Sequence, residues 1–316
     1  HDDQLDGIDH RGMTLGDLVK KFLATKADKS ASTIADYTLT LDYAKVLFRV
    51  PLHVISTAEI DTLILTRPTP AGRKRLLRRL SQVFRRAVIW KLIRGNPCDG
   101  AERQTHKPEK AEVFELDEVE AILDARKGHR LISLFDLGFT LGPRPEELFG
   151  FQWQDWDESK QTLSVVRKVA DVRGVLDIGP PKTPAALRNL ILPDHITSRL
   201  IDRRWVAMKE GCASRQDWIF PNIRGGPLRR SNVRTQVWLP MLEAAGVRYR
   251  KLYCMRHTAA TTMLNGCDGV RGISLAVVSE TLGHENSQVT LERYSHTMMA
   301  EHQQVAVFWN AMERTG

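Results

Sequence analysis

One segment carries the entire charge excess of this chain. Residues 67–104 hold eleven Lys and Arg against only Asp99 and Glu102, a net of +9, while the whole 316-residue chain carries +8. Inside that segment Leu76, Leu77, Leu80, Val83, Phe84, Ala87 and Val88 recur at three- and four-residue steps, which predicts an amphipathic helix over Pro70–Leu92. Arg73, Lys74, Arg75, Arg78, Arg79, Arg85 and Arg86 cover much of its remaining surface, with almost no counter-charge nearby in sequence. Such a helix repels itself unless an acidic neighbour or a polyanion lies against it. A duplex offers a phosphate about every 1.7 Å of axis, so a basic helix laid on DNA gains by releasing counterions. The plain alternative is a solvated face that keeps the protein soluble, and the pattern alone leaves both open.

The rest of the composition narrows the class by exclusion. Apolar residues make up 42% and charged residues 27%, ordinary globular usage that argues against a disordered chain. No run approaches the roughly 20 apolar residues of a membrane span, and no charged-then-apolar leader opens the chain. Cys98, Cys212, Cys254 and Cys267 are too few and scattered for a disulfide scaffold, and none forms a CxxC pair. They read as reduced packing thiols of a cytoplasmic protein.

Two domains are expected. Residues 1–12 are polar and Asp-rich, a frayed or tag-like end. From Met13 to residue 104 the pattern is helical, with helices over Thr14–Thr25, Ser32–Val50, Thr57–Thr66 and Pro70–Leu92. Thr14 with Asp17, and Thr57 with Glu59 and Asp61, supply N-terminal signals. Residues 105–112 read as a polar linker. The second domain, 113–316, opens with helices over Leu116–Ala125 and from His129 to about Leu141. Three short β-type runs follow, Thr162–Val169, Gly174–Ile178 and Asn189–Leu192, with a turn at Asp171–Gly174. After Pro193 the pattern is helical to the end. The expected fold is mainly α with a small antiparallel β-sheet.

Motif searches remove several chemistries. The chain has no GxxxxGK[ST] loop, no GxGxxG after a strand, no HExxH and no GxSxG. No metal or organic cofactor is therefore expected. What remains is a set of basic residues in unusual places. Arg144 lies in LGPRPEEL, where Pro145 suits the first helical position and free N–H groups favour an anion. Pairing with Glu146 or Glu147 is the bland alternative. Lys182 sits in the proline-stiffened connection GPPKTP. Arg256 lies on or beside an apolar helix face in KLYCMRHTAATTML, and a buried unpaired cation is very costly. His284 and Tyr294 are ten residues apart in LGHENSQVTLERYSH. Taken singly, a glycine-following histidine reads as a cap and a late tyrosine as packing.

Taken together, LGPRPEEL, PPKT, YCMRHTAATTML and LGHENSQVTLERYSH resemble, in order, the boxes of the tyrosine recombinase (phage integrase) family over about residues 113–300. The basic helical region is similar to that family's core-binding domain in position and charge. The resemblance implies that Arg144 and Arg256 hold the scissile phosphate and that Tyr294 is the nucleophile, forming a 3′-phosphotyrosine. It implies that Lys182 protonates the leaving 5′ oxygen and that His284 hydrogen-bonds the phosphate. One position departs from the family pattern. Tyr253 stands where a histidine is usual, and a phenol of pKa near 10 is a poor base at neutral pH, though it can donate a hydrogen bond. Tyr253 is also a rival nucleophile, in the wrong box.

The implied partner is double-stranded DNA at attachment sites of a phage or mobile element, with DNA-bending accessory proteins as possible helpers. The implied setting is the bacterial cytoplasm, at the nucleoid. Residues before Met13 could not form the small arm-binding domain that many phage integrases carry. The tail from about Met298, with Val305, Val307, Phe308, Trp309 and Met312, either docks on a neighbouring protomer of a tetramer or packs on its own domain. Two other functions stay in view: a type IB topoisomerase, and a DNA-binding regulator that has kept the fold without the chemistry.

Overall fold

A computed structural model describes residues 12–102, 111–267 and 270–286. The chain divides into two compact units, residues 1–109 and 110–316. The tail from Met298, the segment 103–110 and Tyr294 lie outside the described residues.

The first unit is helical: α1 (Leu15–Ala24), α2 (Ala31–Leu41), α3 (Thr57–Leu65) and α4 (Pro70–Ile89). Thr14 and Asp17 form the expected capping box on α1, whereas α3 is capped by Ser56 with Glu59, one residue before the expected Thr57. The α4 stripe is as the periodicity requires. Leu76, Leu80, Val83, Phe84 and Ala87 are fully buried against α1, α2 and α3.

The helix expected over Ser32–Val50 does not run through. It tightens into a 3₁₀ segment at Asp42–Leu47 and then stops. The reason lies in α1, whose first N–H groups have no partner within their own helix. Leu15 N–H donates to Val50 C=O and Gly16 N–H to Phe48 C=O, both at 3.0 Å. Residues 48–50 must leave the helix to supply those carbonyls. Gly16 permits the approach, because a Cβ there would sit 2.9 Å from Phe48 O.

The second unit contains α5 (Leu116–Ala125), α6 (Ile132–Leu141), α7 (Pro145–Leu148), β1 (Trp156–Asp157), β2 (Thr162–Val165), β3 (Lys168–Val172), β4 (Val175–Gly179), β5 (Arg188–Ile191) and α8 (Asp194–Glu210). After α8 come α9 (Arg230–Val233), a π turn at Arg234–Trp238, α10 (Leu239–Ala244), α11 (Cys254–Asn265), β6 (Gly266–Cys267), β7 (Val270–Arg271) and α12 (Leu275–Leu282). Nearly every side chain of α6 is buried, and α6 lies along α11 so closely that a Cβ on Gly138 would meet Met255 Sδ at 3.0 Å. Trp238 anchors the core. It is fully buried, stacks on Phe135 with ring centroids 5.5 Å apart, and donates its indole N–H to Arg250 C=O at 2.7 Å.

The small sheet is antiparallel, as expected, but it is divided. The strands form a three-stranded sheet in the order β1-β2-β5 and a separate β3-β4 hairpin. The expected strand Thr162–Val169 breaks at Val166–Arg167. There the Arg167 guanidinium turns inward to Gly150 C=O and the Asp155 carboxylate, and its own backbone packs against Gly150. The third strand starts at Arg188, one residue before the expected Asn189. The β6-β7 hairpin interrupts the helix expected after Pro193, as do the non-helical residues 212–229.

Candidate active site

Arg144 is the N-cap residue of α7, and the Glu147 side chain closes the cap onto its backbone. Its backbone is extended, Pro145 occupies the first helical position, and its N–H donates to Glu147 Oε2 at 3.0 Å. The guanidinium returns to the same carboxylate, Nη1 to Oε1 at 2.7 Å. The pairing with Glu147 is therefore present, but it uses only part of the fork. Nη2 donates to Gly283 C=O at 3.2 Å.

Arg256, in the first turn of α11, is 1% exposed. Nη1 donates to Gly142 C=O at 2.8 Å and Nη2 to Leu282 C=O at 2.7 Å. Both acceptors lie at helix C-termini, those of α6 and α12, where the peptide dipoles favour a cation. Burial pushes Arg256 down to about 10, and the neighbouring Arg144 adds to the effect. Among the described residues no carboxylate lies within ion-pair distance of Arg256.

A third arginine joins them. Arg188, at the start of β5, donates from Nε to Thr281 C=O (2.6 Å), from Nη1 to Ala186 C=O (3.0 Å) and from Nη2 to Glu147 Oε2 (3.0 Å). Three consecutive carbonyls at the end of α12, those of Thr281, Leu282 and Gly283, are thus each taken by a different arginine. Gly283 makes the convergence possible. It is left-handed at φ +67°, and a Cβ on it would lie 2.8 Å from Arg188 Nη1 and 3.0 Å from Ala185 O.

Among the described residues the one carboxylate in this cluster is Glu147, whose side chain is 2% exposed and bridges Arg144 and Arg188. Burial alone would raise its pKa, but the charges of Arg188 and Arg144 and their hydrogen bonds outweigh it, so the carboxyl sits below 4.5. Removing one partner of such a buried network costs about 3 kcal/mol or more. Glu147→Gln is therefore expected to lower the melting temperature at neutral pH by roughly 6–12 °C for a unit of this size. Because the folded pKa is depressed, this stabilisation is complete above 4.5 and fades as pH falls through the lower folded value. Thermal melts of wild type and variant across that acid range check both the size and the narrowing gap; a gap that widens on acidification would contradict it.

His284 follows Gly283 directly, is half-buried, and its backbone N–H donates to Ser279 C=O at 3.0 Å. Lys182 is exposed in the connection between β4 and β5, and among the described residues it makes no hydrogen bond or ion pair. That connection passes close by, since Ala185 and Ala186 pack on Gly283. Tyr253 is half-buried at the start of α11, its ring edge-on to that of His257 at 5.0 Å. Arg144, Arg256 and the His284 turn are brought together, Lys182 lies on the adjoining loop, and Tyr294 lies outside the described residues. Sequence reasoning passed over Arg188. Strand alternation could have found it, because Arg188 shares a face of β5 with the buried Leu190.

The basic helix α4 divides its cations between two tasks. Arg79 is largely buried, 2.7 Å from Asp36 of α2 and over the Tyr37 ring, and Arg75 also pairs with Asp36. Arg73 donates to Arg67 C=O and Arg86 lies over the Trp90 ring. The missing counter-charge is thus supplied in part by Asp36, which is distant in sequence. Lys74, Arg78 and Arg85 are exposed and, with Arg73, line a groove of ≈ 350 Å³ that also holds Ser81 and Gln82.

Among the described residues no group of three His, Cys, Asp or Glu could hold a metal ion, and no helix is long and apolar enough to cross a membrane. The model of the phage integrase family matches residues 112–301. The chain is 29% identical to a XerC-like tyrosine recombinase of Caldanaerobacter subterraneus subsp. tengcongensis, over 92% of this chain and 81% of the relative. It is 20% identical to the ICEBs1 integrase of Bacillus subtilis, over 83% and 70%. Its fold is similar to that of the Tn1549 transposon integrase in complex with a circular intermediate DNA (TM-score 0.79, 17% identity, 93% of this chain and 99% of that one). It is also similar to lambda integrase in a tetramer bound to a Holliday junction (TM-score 0.65, 18% identity, 88% and 80%). More than half of the chain lies within the family match, in the same stretch that holds the three converging arginines. It belongs to the phage integrase family and is a site-specific tyrosine recombinase.

Proposed function

We propose that this recombinase cuts and rejoins double-stranded DNA through a 3′-phosphotyrosine to integrate or excise a phage or other mobile element. The observation that carries the reading is Arg256, a fully buried guanidinium that among the described residues is held by the neutral carbonyls of Gly142 and Leu282. With Arg144 and Arg188 beside it, three guanidiniums stand, among the described residues, against the one carboxylate of Glu147, leaving a net positive site suited to a phosphate.

In this reading Arg144 and Arg256 bind the non-bridging oxygens and stabilise the charge that builds in the pentavalent state. The Tyr294 oxygen attacks phosphorus, the P–O5′ bond breaks, and Lys182 gives the 5′ oxygen its proton. His284 hydrogen-bonds a phosphate oxygen, and Tyr253 donates a further hydrogen bond. The ester conserves the bond energy, so a different 5′ hydroxyl reseals the strand without ATP. The tail from Met298 serves self-association into a tetramer on DNA, in keeping with the tetrameric lambda integrase relative.

The test uses nicked suicide duplexes spanning the junctions of the encoding element, which trap a covalent intermediate by losing the attacking 5′ end. Wild type is expected to form an SDS-resistant adduct at a 3′ phosphate. A specific gel shift with no adduct would overturn the reading in favour of a binding regulator. Relaxation of supercoils without a requirement for two sites would favour a topoisomerase.

The first unit supplies the second contact. Exposed Arg78 and Arg85 of α4 bind backbone phosphates, so Arg78→Ala and Arg85→Ala each weaken binding uniformly across DNA sequences. Each is expected to reduce the slope of log K against log salt by about 0.9. Titrations between roughly 50 and 200 mM salt check this, and an unchanged slope would remove α4 from the interface.

A further inference from the structure

We infer that Arg188 is a positioning residue of the cleavage reaction, acting through the connection that carries Lys182. The inference rests on the phosphotyrosyl-transfer reading above. Arg188 reaches no exposed surface of consequence: its side chain is 6% exposed and all three of its nitrogens are engaged inside the protein. It therefore does not touch substrate. Its three acceptors belong to three different segments: Thr281 C=O at the end of α12, Glu147 in the Arg144 turn, and Ala186 C=O in the Lys182 connection. No other side chain among the described residues joins all three.

The Lys182 connection needs such an anchor. Lys182 is exposed and makes no bond of its own among the described residues, and between Gly179 and Arg188 the backbone is held by the short 3₁₀ turn at Pro184–Ala186. That turn ends at Ala186, whose carbonyl accepts from Arg188. Pro184 stiffens the three residues between the anchor and Lys182, and Pro180 and Pro181 stiffen the chain on the other side of Lys182, so a position fixed at Ala186 is transmitted to it. The planar fork matters because its donors diverge at fixed angles. A lysine at 188 keeps the charge beside Glu147 but cannot hold three segments in register.

The consequence is specific to one bond-breaking event. Loss of the fork displaces the proton donor, so the O5′ leaving group departs unprotonated and slowly. A substrate with sulfur in the 5′ bridging position breaks its P–S bond to release a thiolate, which needs no proton. Arg188→Lys is expected to slow adduct formation about 100-fold on ordinary suicide duplexes, the usual cost of misplacing a reacting group by about 1 Å. On the 5′-phosphorothiolate duplex the rate is expected to return to within a few fold of wild type. Arg144→Lys, which alters phosphate contact itself, is expected to show no such rescue. In a Lys182→Ala background, adding Arg188→Lys should cost little more, since both changes remove the same contribution.

Equal loss on both substrates, with an unchanged melting temperature, would overturn the inference and leave Arg188 as support for the arginine cluster alone. If Arg188→Lys does not fold, Arg188→Gln, which retains an amide donor beside Glu147, gives the same reading. Wild type that forms no adduct on either substrate would instead defeat the phosphotyrosyl reading, whatever the behaviour of the Arg188 variants.

Discussion

A chain carrying Tyr294→Phe is expected to bind attachment-site duplex with wild-type affinity and to form no SDS-resistant adduct. Removing only the phenolic oxygen deletes the atom that would bond phosphorus. Loss of the nucleophile of a covalent mechanism costs on the order of 10⁶-fold, which in a trapping assay reads as complete absence. The arginines remain in place, so recognition of the phosphate should persist and separate chemistry from binding. Tyr253 provides the informative alternative. It begins α11 three residues before Arg256, so an adduct that survives Tyr294→Phe and disappears with Tyr253→Phe would transfer the nucleophile to that position.

Arg256→Lys is expected to lower the rate of adduct formation by about 10²–10³-fold while leaving the gel shift of the intact duplex close to wild type. Arg256 is not a generic cation. Its two terminal nitrogens are spent on Gly142 C=O and Leu282 C=O, and those bonds fix the plane in which its remaining N–H groups lie. An ammonium group can satisfy one of these carbonyls but not present a planar face beyond them. The buried position sharpens the effect, because charge interactions in a site shielded from water exceed those at the surface. Burial and Arg144 depress the Arg256 pKa to about 10, so an arriving phosphodiester monoanion, and still more the phosphorane-like state with its second charge, relieves the disfavoured cation pair. A variant within tenfold of wild type in single-turnover cleavage would contradict this role.

Much of this was open to reading without coordinates. The amphipathic stripe of α4, the α1 capping box, the Pro145 helix start and the antiparallel strands follow from spacing and local chemistry, which act over a few residues. Arg256 could be singled out because its neighbours are core residues and a buried cation needs a reason. The rest depends on contacts between distant segments. The early end of α2 comes from the unsatisfied N–H groups of α1, some thirty residues away. The strand break at Arg167 comes from Gly150 and Asp155, and the partial neutralisation of α4 comes from Asp36.

The site itself shows where that boundary falls. The amino-acid sequence by itself determined which candidate groups are available: Arg144 before a proline-started helix, Lys182 in a stiff loop, Arg256 in an apolar helix, His284 after a Leu-Gly pair, and Tyr294 ten residues on. Only the tertiary structure decided that Thr281, Leu282 and Gly283 would offer their carbonyls to Arg188, Arg256 and Arg144 respectively, with Glu147 bridging two of the three. The physical reason is that helix-end carbonyls and a buried carboxylate must find donors. Which donors they find is settled by packing of segments up to 139 residues apart, not by any local pattern.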